Sequence, residues 1–243
     1  MPSSIDRVVI TGASSGIGLD LARRFLRAGS SILINGSNAR KLEQAERSLE
    51  GGAKVFAVAG DVSRRETATQ IADAARERWG GIDVLVNSAG IFAAKPFLET
   101  TPEELDRFLN VNLKGTFLVT QALVPLMMAA GGGAIINLGT VLVNQGKMDV
   151  PVSAVMASKG GVHALTVALA AELARHSIRV NTLAPGIIRT PLHGDAADTM
   201  ANWHPLGRVG ELRDTSDAAL YLATADFVTG TVLNVDGGYS SGR

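Results

Sequence analysis

Apolar residues fall in two alternating patterns along this chain. Short runs rich in β-branched residues, at 7–11, 31–35, 54–59, 82–87, 134–138, 178–183 and 231–235, are apolar almost throughout. Runs of that length and uniformity predict strands covered on both faces. Between them, stretches 17–28, 39–49, 64–79, 103–130, 155–176 and 211–223 repeat apolar residues at helical spacing. The start of the fourth is marked by Thr101-Pro102-Glu103-Glu104, an N-cap hydroxyl followed by a first-turn Pro and first-turn acids. Strand–helix alternation of this kind predicts an α/β fold, a mostly parallel seven-stranded sheet with helices on both faces. Right-handed crossovers then wind it into a single doubly wound domain over residues 1–243. The least regular stretch, 190–208, holds His193, Asp195, Trp203, His204 and Pro205. It follows a strand, on the side where such sheets bind ligands, and is expected to form a mobile substrate lid.

Composition removes several function classes. Lys+Arg and Asp+Glu number 23 each, so the formal net charge is zero and nothing calls for nucleic acid or an anionic membrane. Cys is absent, which excludes disulfides, thiolate metal sites and Cys nucleophiles and fits a reducing cytoplasm. No metal site is read from the sequence. Residues 1–7 carry Asp6 and Arg7 and no apolar segment of the kind a secretory signal needs. The longest apolar runs are broken by Gly, Pro or charge before they reach bilayer length, so no membrane span is expected. What remains is a soluble, Gly-rich globular protein, expected to be cytoplasmic.

The first strand is followed by Thr11-Gly12-Ala13-Ser14-Ser15-Gly16-Ile17-Gly18. Gly12 permits a tight turn, Gly16 a close approach of a diphosphate to a helix N-terminus, and Gly18 close helix–strand packing. A glycine-rich loop could be a plain structural turn; its place between a strand and a helix favours dinucleotide binding. Asp61-Val62 ends the third strand and Asn87-Ser88-Ala89-Gly90 the fourth, at carboxyl ends where open α/β sheets bind ligands.

These segments combine with Val111-Asn112 in mid-helix, Lys159 near a helix start, Asn181-x-x-x-Pro185-Gly186 with Thr190, and Val235-Asp236-Gly237-Gly238. As an ordered set spanning the chain, they resemble the short-chain dehydrogenase/reductase family. The resemblance implies one Rossmann-type domain, a nicotinamide cofactor and a homotetramer. It implies that Gly12, Ser14, Ser15, Gly16, Ile17 and Gly18 hold the diphosphate and that Asp61 and Val62 hold the adenine. Asn87, Ala89 and Gly90 would line the adenosine ribose, and Pro185, Gly186, Ile188 and Thr190 would flank the nicotinamide.

The end of the second strand, Asn35-Gly36-Ser37-Asn38-Ala39-Arg40-Lys41, bears on the choice of cofactor. It has no acid for a ribose 2′-hydroxyl, and Ser37 stands where many NADP-using relatives carry Arg. Gly36, Ser37 and Asn38 are expected contacts. Arg40 and Lys41 could reach a 2′-phosphate or simply cover a solvated first turn. The balance favours NADP over NAD.

The resemblance breaks at the catalytic positions. Dehydrogenases of the family use Ser, Tyr, Lys and a helix Asn, with the Tyr four residues before the Lys. Four helical residues turn about 400°, so both side chains share a face. The Lys lowers the Tyr pKa and holds the ribose, and the Tyr hydroxyl exchanges a proton with the substrate. Here Asn112 and Lys159 are kept, Thr140 replaces the Ser, and Val155 stands at the Tyr position. Tyr221 and Tyr239 fall where the resemblance assigns scaffold roles. Ser153, Ser158, Lys147, Asp149, His193 and His204 read as ordinary residues, and His163, one turn beyond Lys159, as a packed structural His.

Two readings stay open. One is an NAD(P)-dependent oxidoreductase with an atypical tetrad lacking Tyr, acting on a small to medium carbonyl/alcohol or imine/amine substrate. The other is a non-catalytic cofactor-binding homologue, a sensor or assembly subunit, which Val155 motivates. Residues 93–97, 141–152 and 192–206 are expected to line a mainly apolar substrate pocket.

Overall fold

Seven strands form where the apolar runs lie: β1 (Arg7–Thr11), β2 (Ser31–Gly36), β3 (Val55–Ala59), β4 (Val84–Asn87), β5 (Gly133–Leu138), β6 (Ile178–Pro185) and β7 (Val232–Val235). The computed structural model describes residues 5–241, so the reading of the N-terminal segment falls partly outside the described residues. Every pairing in the sheet is parallel, and the order is β3-β2-β1-β4-β5-β6-β7. Val8 and Ile10 of β1 enter one core and Val9 enters the other, which is why the run is apolar throughout. Helices α1 (Gly16–Arg27), α2 (Ala39–Ser48) and α7 (Leu212–Thr224) cover the first face. Helices α3 (Arg65–Trp79), α5 (Gly115–Ala129) and α6 (Ser153–Leu173) cover the second. The chain winds outward through β2 and β3, then returns to lay β4 beside β1. The crevice at the carboxyl ends of β1 and β4 is therefore the topological switch point, the usual ligand site of such sheets.

The single helix expected over 103–130 is interrupted. A seven-residue α4 (Pro102–Phe108) runs into a π-helical turn, Leu109–Lys114, and then into α5. Thr101 and Glu104 form the full capping box at its start. The wide turn surrounds Asn112, whose tertiary bonds, given below, compete with regular α-helical spacing.

The expectation that no stretch could span a bilayer also needs correction. Pro102–Ala129 and Ser153–His176 are long and apolar enough by length and composition. About half of each is buried within the fold, because α5 and α6 pack on the sheet.

Candidate active site

The loop after β1 is shaped by what surrounds it. Gly12 has φ +66°, and a Cβ there would lie 2.6 Å from the Cα and backbone N of Ala89. The turn thus fits only glycine, and it locks the ends of β1 and β4 together. Gly16 is also left-handed, at φ +56°. Ser15 caps α1 with extended backbone but makes no side-chain cap bond, and no acid occupies the first turn. The opening N–H groups of α1 are free of a competing side chain, the condition for holding an anion.

From this turn a cavity of about 620 Å³ runs across the carboxyl edge of the sheet. Gly12, Ser15, Gly16, Ile17, Gly18 and Gly90 line one end, and Thr140, Val155, Lys159, Pro185, Gly186, Ile188 and Thr190 line the other. One cavity brings these residues together. Ser88 joins them unforeseen. Gly36, Ser37, Asn38, Asp61, Val62, Asn87 and Ala89 lie outside this cavity. Ser14 rests over Gly36, whose Cβ would meet it at 3.1 Å. Ser37, Asn38 and Asp61 are exposed at the ends of β2 and β3. The Asn38 carboxamide oxygen accepts from Lys41 N at 3.0 Å to cap α2, leaving only its NH2 to donate outward. Val62 is buried against Gly115. The Asn87 side chain turns into the sheet, donating to Thr120 Oγ1 and Asn137 Oδ1, both at 2.9 Å.

Lys159 is 8% exposed and borders the cavity from α6. Its Nζ donates to the Leu138 carbonyl at 2.5 Å. Among the described residues no carboxylate offsets the charge, and burial pulls the ammonium from 10.5 to about 8. Among the described residues no Asp or Glu lines the cavity; its cations are Lys159 and, toward one wall, the exposed Arg107. Thr140 lies opposite on the loop after β5, its Oγ1 accepting from Leu142 N at 3.3 Å.

Asn112 does not touch the cavity. It is fully buried; Oδ1 accepts from Ile91 N at 2.8 Å, and Nδ2 donates to Ile91 O at 3.1 Å and Ser158 Oγ at 3.0 Å. Ser158 in turn donates to Val155 O, so it points away from the lysine beside it. One carboxamide therefore ties the loop after β4 to α6 beside Lys159. Replacing Asn112 with Ala strands the N–H and C=O of Ile91 and is expected to cost about 1–3 kcal/mol. Urea unfolding reads this as a lower midpoint with an unchanged slope.

His163 is buried with Nε2 unpartnered, behind Gly139. Burial, and then the Lys159 charge, hold its pKa below the ordinary value. Segment 190–208 contains a 3-10 helix, Gly194–Trp203. Arg189 anchors it through a paired contact to Asp198, at 2.6 and 2.9 Å, and also reaches Glu211. Lys147 stacks its ammonium 4.6 Å from the Trp203 ring, tying the segment to the loop across the cavity.

Val155 is 2% exposed and packs in an apolar cluster with Val141, Leu142, Ala184 and Tyr239. Tyr239 was expected to serve only as scaffold. It borders the same cavity as Lys159 and Thr140, whereas Tyr221 stands on α7 at 53% exposure. Nothing in the local sequence around Val235-Asp236-Gly237-Gly238 marks this placement, which depends on how the chain folds back after β7.

Residues 12–240 match the family model described as Enoyl-(Acyl carrier protein) reductase. Galactitol 2-dehydrogenase (L-tagatose-forming) from Cereibacter sphaeroides is 39% identical over 242 residues, covering 95% of this chain and 93% of that protein. The 3-oxoacyl-acyl-carrier-protein reductase of Thermotoga maritima is 36% identical over 237 residues, covering 95% and 96%. The crystal structure of a short-chain type dehydrogenase/reductase from Mycobacterium marinum superposes with a TM-score of 0.93 at 34% identity, covering 98% of this chain and 97% of that one.

Proposed function

The chain belongs to the short-chain dehydrogenase/reductase family, and from that premise we propose that it is an NAD(P)-dependent oxidoreductase acting on a small to medium carbonyl/alcohol or imine/amine substrate. One observation carries the reading: a single cavity joins the uncapped N-terminus of α1 to the buried ammonium of Lys159. The free N–H groups and glycine cradle suit a dinucleotide diphosphate. When bound, the nicotinamide cofactor supplies or accepts the hydride.

The chain's own residues then have separable tasks. Lys159, oriented by the Leu138 carbonyl, donates to ribose hydroxyls and favours negative charge developing nearby. The Thr140 hydroxyl orients the substrate oxygen. Asn112 holds the Ile91 loop at the cavity wall. Leu142, Val150, Leu192, Met200 and Trp203 supply apolar walls that exclude water, suiting a mainly apolar substrate. Arg107 and the lack of lining carboxylates allow that substrate an anionic group.

NADP is the preferred cofactor in this reading. Support comes from the exposed Ser37, Arg40 and Lys41 at the end of β2, where no acid opposes a 2′-phosphate. A cytoplasmic homotetramer fits the exposed Leu105, Phe117, Met128 and Val167 on α4, α5 and α6. The 190–208 segment acts as the lid, held over the site by the Arg189–Asp198 and Lys147–Trp203 contacts.

Val155 favours one competing reading, a cofactor-binding homologue without turnover. A cofactor-oxidation screen over ketones, aldehydes and cyclic imines separates the two. Turnover with at least one class is expected; nucleotide binding with no turnover in any class establishes the competitor.

A further inference from the structure

We propose that Tyr239, arriving from the C-terminal turn, supplies the hydroxyl that the helix position occupied by Val155 lacks. The inference rests on the oxidoreductase reading and names its proton donor. Three structural facts carry it. Tyr239 and Val155 share one packed cluster and border one cavity with Lys159 and Thr140. The only other tyrosine is far more exposed, on α7. The third fact is that Tyr239 is mounted rigidly.

That mounting comes from Asp236. Its carboxylate accepts from Gly238 N at 3.0 Å, Ser240 N at 2.8 Å and Ser240 Oγ at 2.6 Å, and its carbonyl accepts from Tyr239 N at 3.0 Å. Gly237 and Gly238 take φ +56° and +89°, turning the chain sharply just before Tyr239, which borders the cavity. A Cβ on Gly238 would meet the Pro205 ring at 3.0 Å, and the His204 ring lies 6.1 Å from the phenol ring. The tyrosine is thus held between the turn and the base of the 190–208 segment, 8% exposed.

In the reductive direction the step is a proton transfer. The O–H bond of Tyr239 breaks and a new O–H bond forms on the substrate oxygen. The carbonyl carbon meanwhile receives hydride from the reduced nicotinamide, so the carbonyl becomes an alcohol. The phenolate regains its proton from bulk solvent when the alcohol leaves. Burial raises the phenol's pKa, which keeps it protonated but makes it a weaker acid, so charge from the bound cofactor must lower that pKa for the transfer. The titratable groups around it are His204 beside the ring and Lys159 and His193 along the cavity. The Asp236 carboxylate is spent within its own turn.

Two measurements test this. In a Tyr221→Phe background, ultraviolet absorbance reports ionisation of Tyr239 alone. Oxidised nicotinamide carries a positive ring, so adding the oxidised dinucleotide should lower the midpoint; an unmoved midpoint puts the phenol away from the reacting centre and overturns the proposal. In the kinetic arm, Tyr239→Phe should lose about 10²–10⁴ in kcat, with nucleotide affinity within threefold of wild type. Adding Val155→Tyr to that variant should restore turnover. Activity within threefold of wild type in Tyr239→Phe, or a matching loss of nucleotide affinity, overturns the assignment. Should wild type bind nucleotide yet turn nothing over, Val155→Tyr decides. Gained turnover shows that Tyr239 delivers no proton. Continued silence removes the proposal together with the oxidoreductase reading.

Discussion

Replacing Lys159 with Met should abolish most turnover and, in the same protein without cofactor, raise stability at neutral pH. The lysine is buried without a carboxylate, and its pKa falls from 10.5 to about 8. An unfolded chain therefore holds this proton more tightly than the folded one. Below about pH 8 the folded state bears the full cost of a buried charge, on the order of 3 kcal/mol. Between that pH and 10.5 the unfolded state binds more protons, so wild-type stability climbs as pH rises. Methionine removes the charge and keeps most of the volume. The variant should thus be more stable by up to about 3 kcal/mol near pH 7, less what the abandoned Leu138 carbonyl costs, and the gain should shrink toward pH 10.5. Denaturant unfolding at pH 7 and pH 10 reads both ends. In the loaded enzyme, loss of this donor should lower kcat/KM by at least about 10²-fold. A destabilised variant, or a gain that grows with pH, would show that the charge is compensated in the fold. Stability given up at a functional position is the expected mark of a site whose chemistry needs that charge.

Gly12→Ala should produce a large loss of nucleotide affinity from a one-carbon change. The added carbon enters backbone space beside Ala89 and takes φ +66°, so strain and overlap add. A loss of about 2–5 kcal/mol in stability follows, with nucleotide binding reduced at least about a hundredfold, because the ends of β1 and β4 must part. Gly80→Ala separates the two causes. Gly80 has φ +70° but open space around its missing Cβ, so it bears strain alone. That variant should lose about 1 kcal/mol and bind nucleotide like wild type. Equal losses in thermal melting for both variants would remove collision as the cause.

The inner strands were readable in the sequence because they are buried on both faces, so burial writes a continuous apolar run, whereas the edge strands β3 and β7 are only partly buried. Val8 to Ile10 illustrates this, with alternate residues in opposite cores. The glycine cradle was readable for a different reason: backbone contact and left-handed turns tolerate no side chain. Helix interruption at Leu109–Lys114 was hidden, since it answers to Asn112 bonding Ile91, a residue on another element. Asn87 was readable as a strand-end residue, but its side chain goes to Thr120 and Asn137, and such pairings need coordinates. The same holds for Tyr239. Its position is set by a turn bonded through Asp236 and packed on Pro205, and neither leaves a periodic trace.

Calorimetric titration of the wild-type chain and Gly12→Ala with reduced NADP and reduced NAD tests the central claim most directly. A dinucleotide seated on the opening amides of α1 and reaching Lys159 predicts one binding event per chain for wild type, tighter with the 2′-phosphate, and a collapse of that event in the glycine variant. Absence of binding for both nucleotides, or binding that survives the added methyl unchanged, would contradict it.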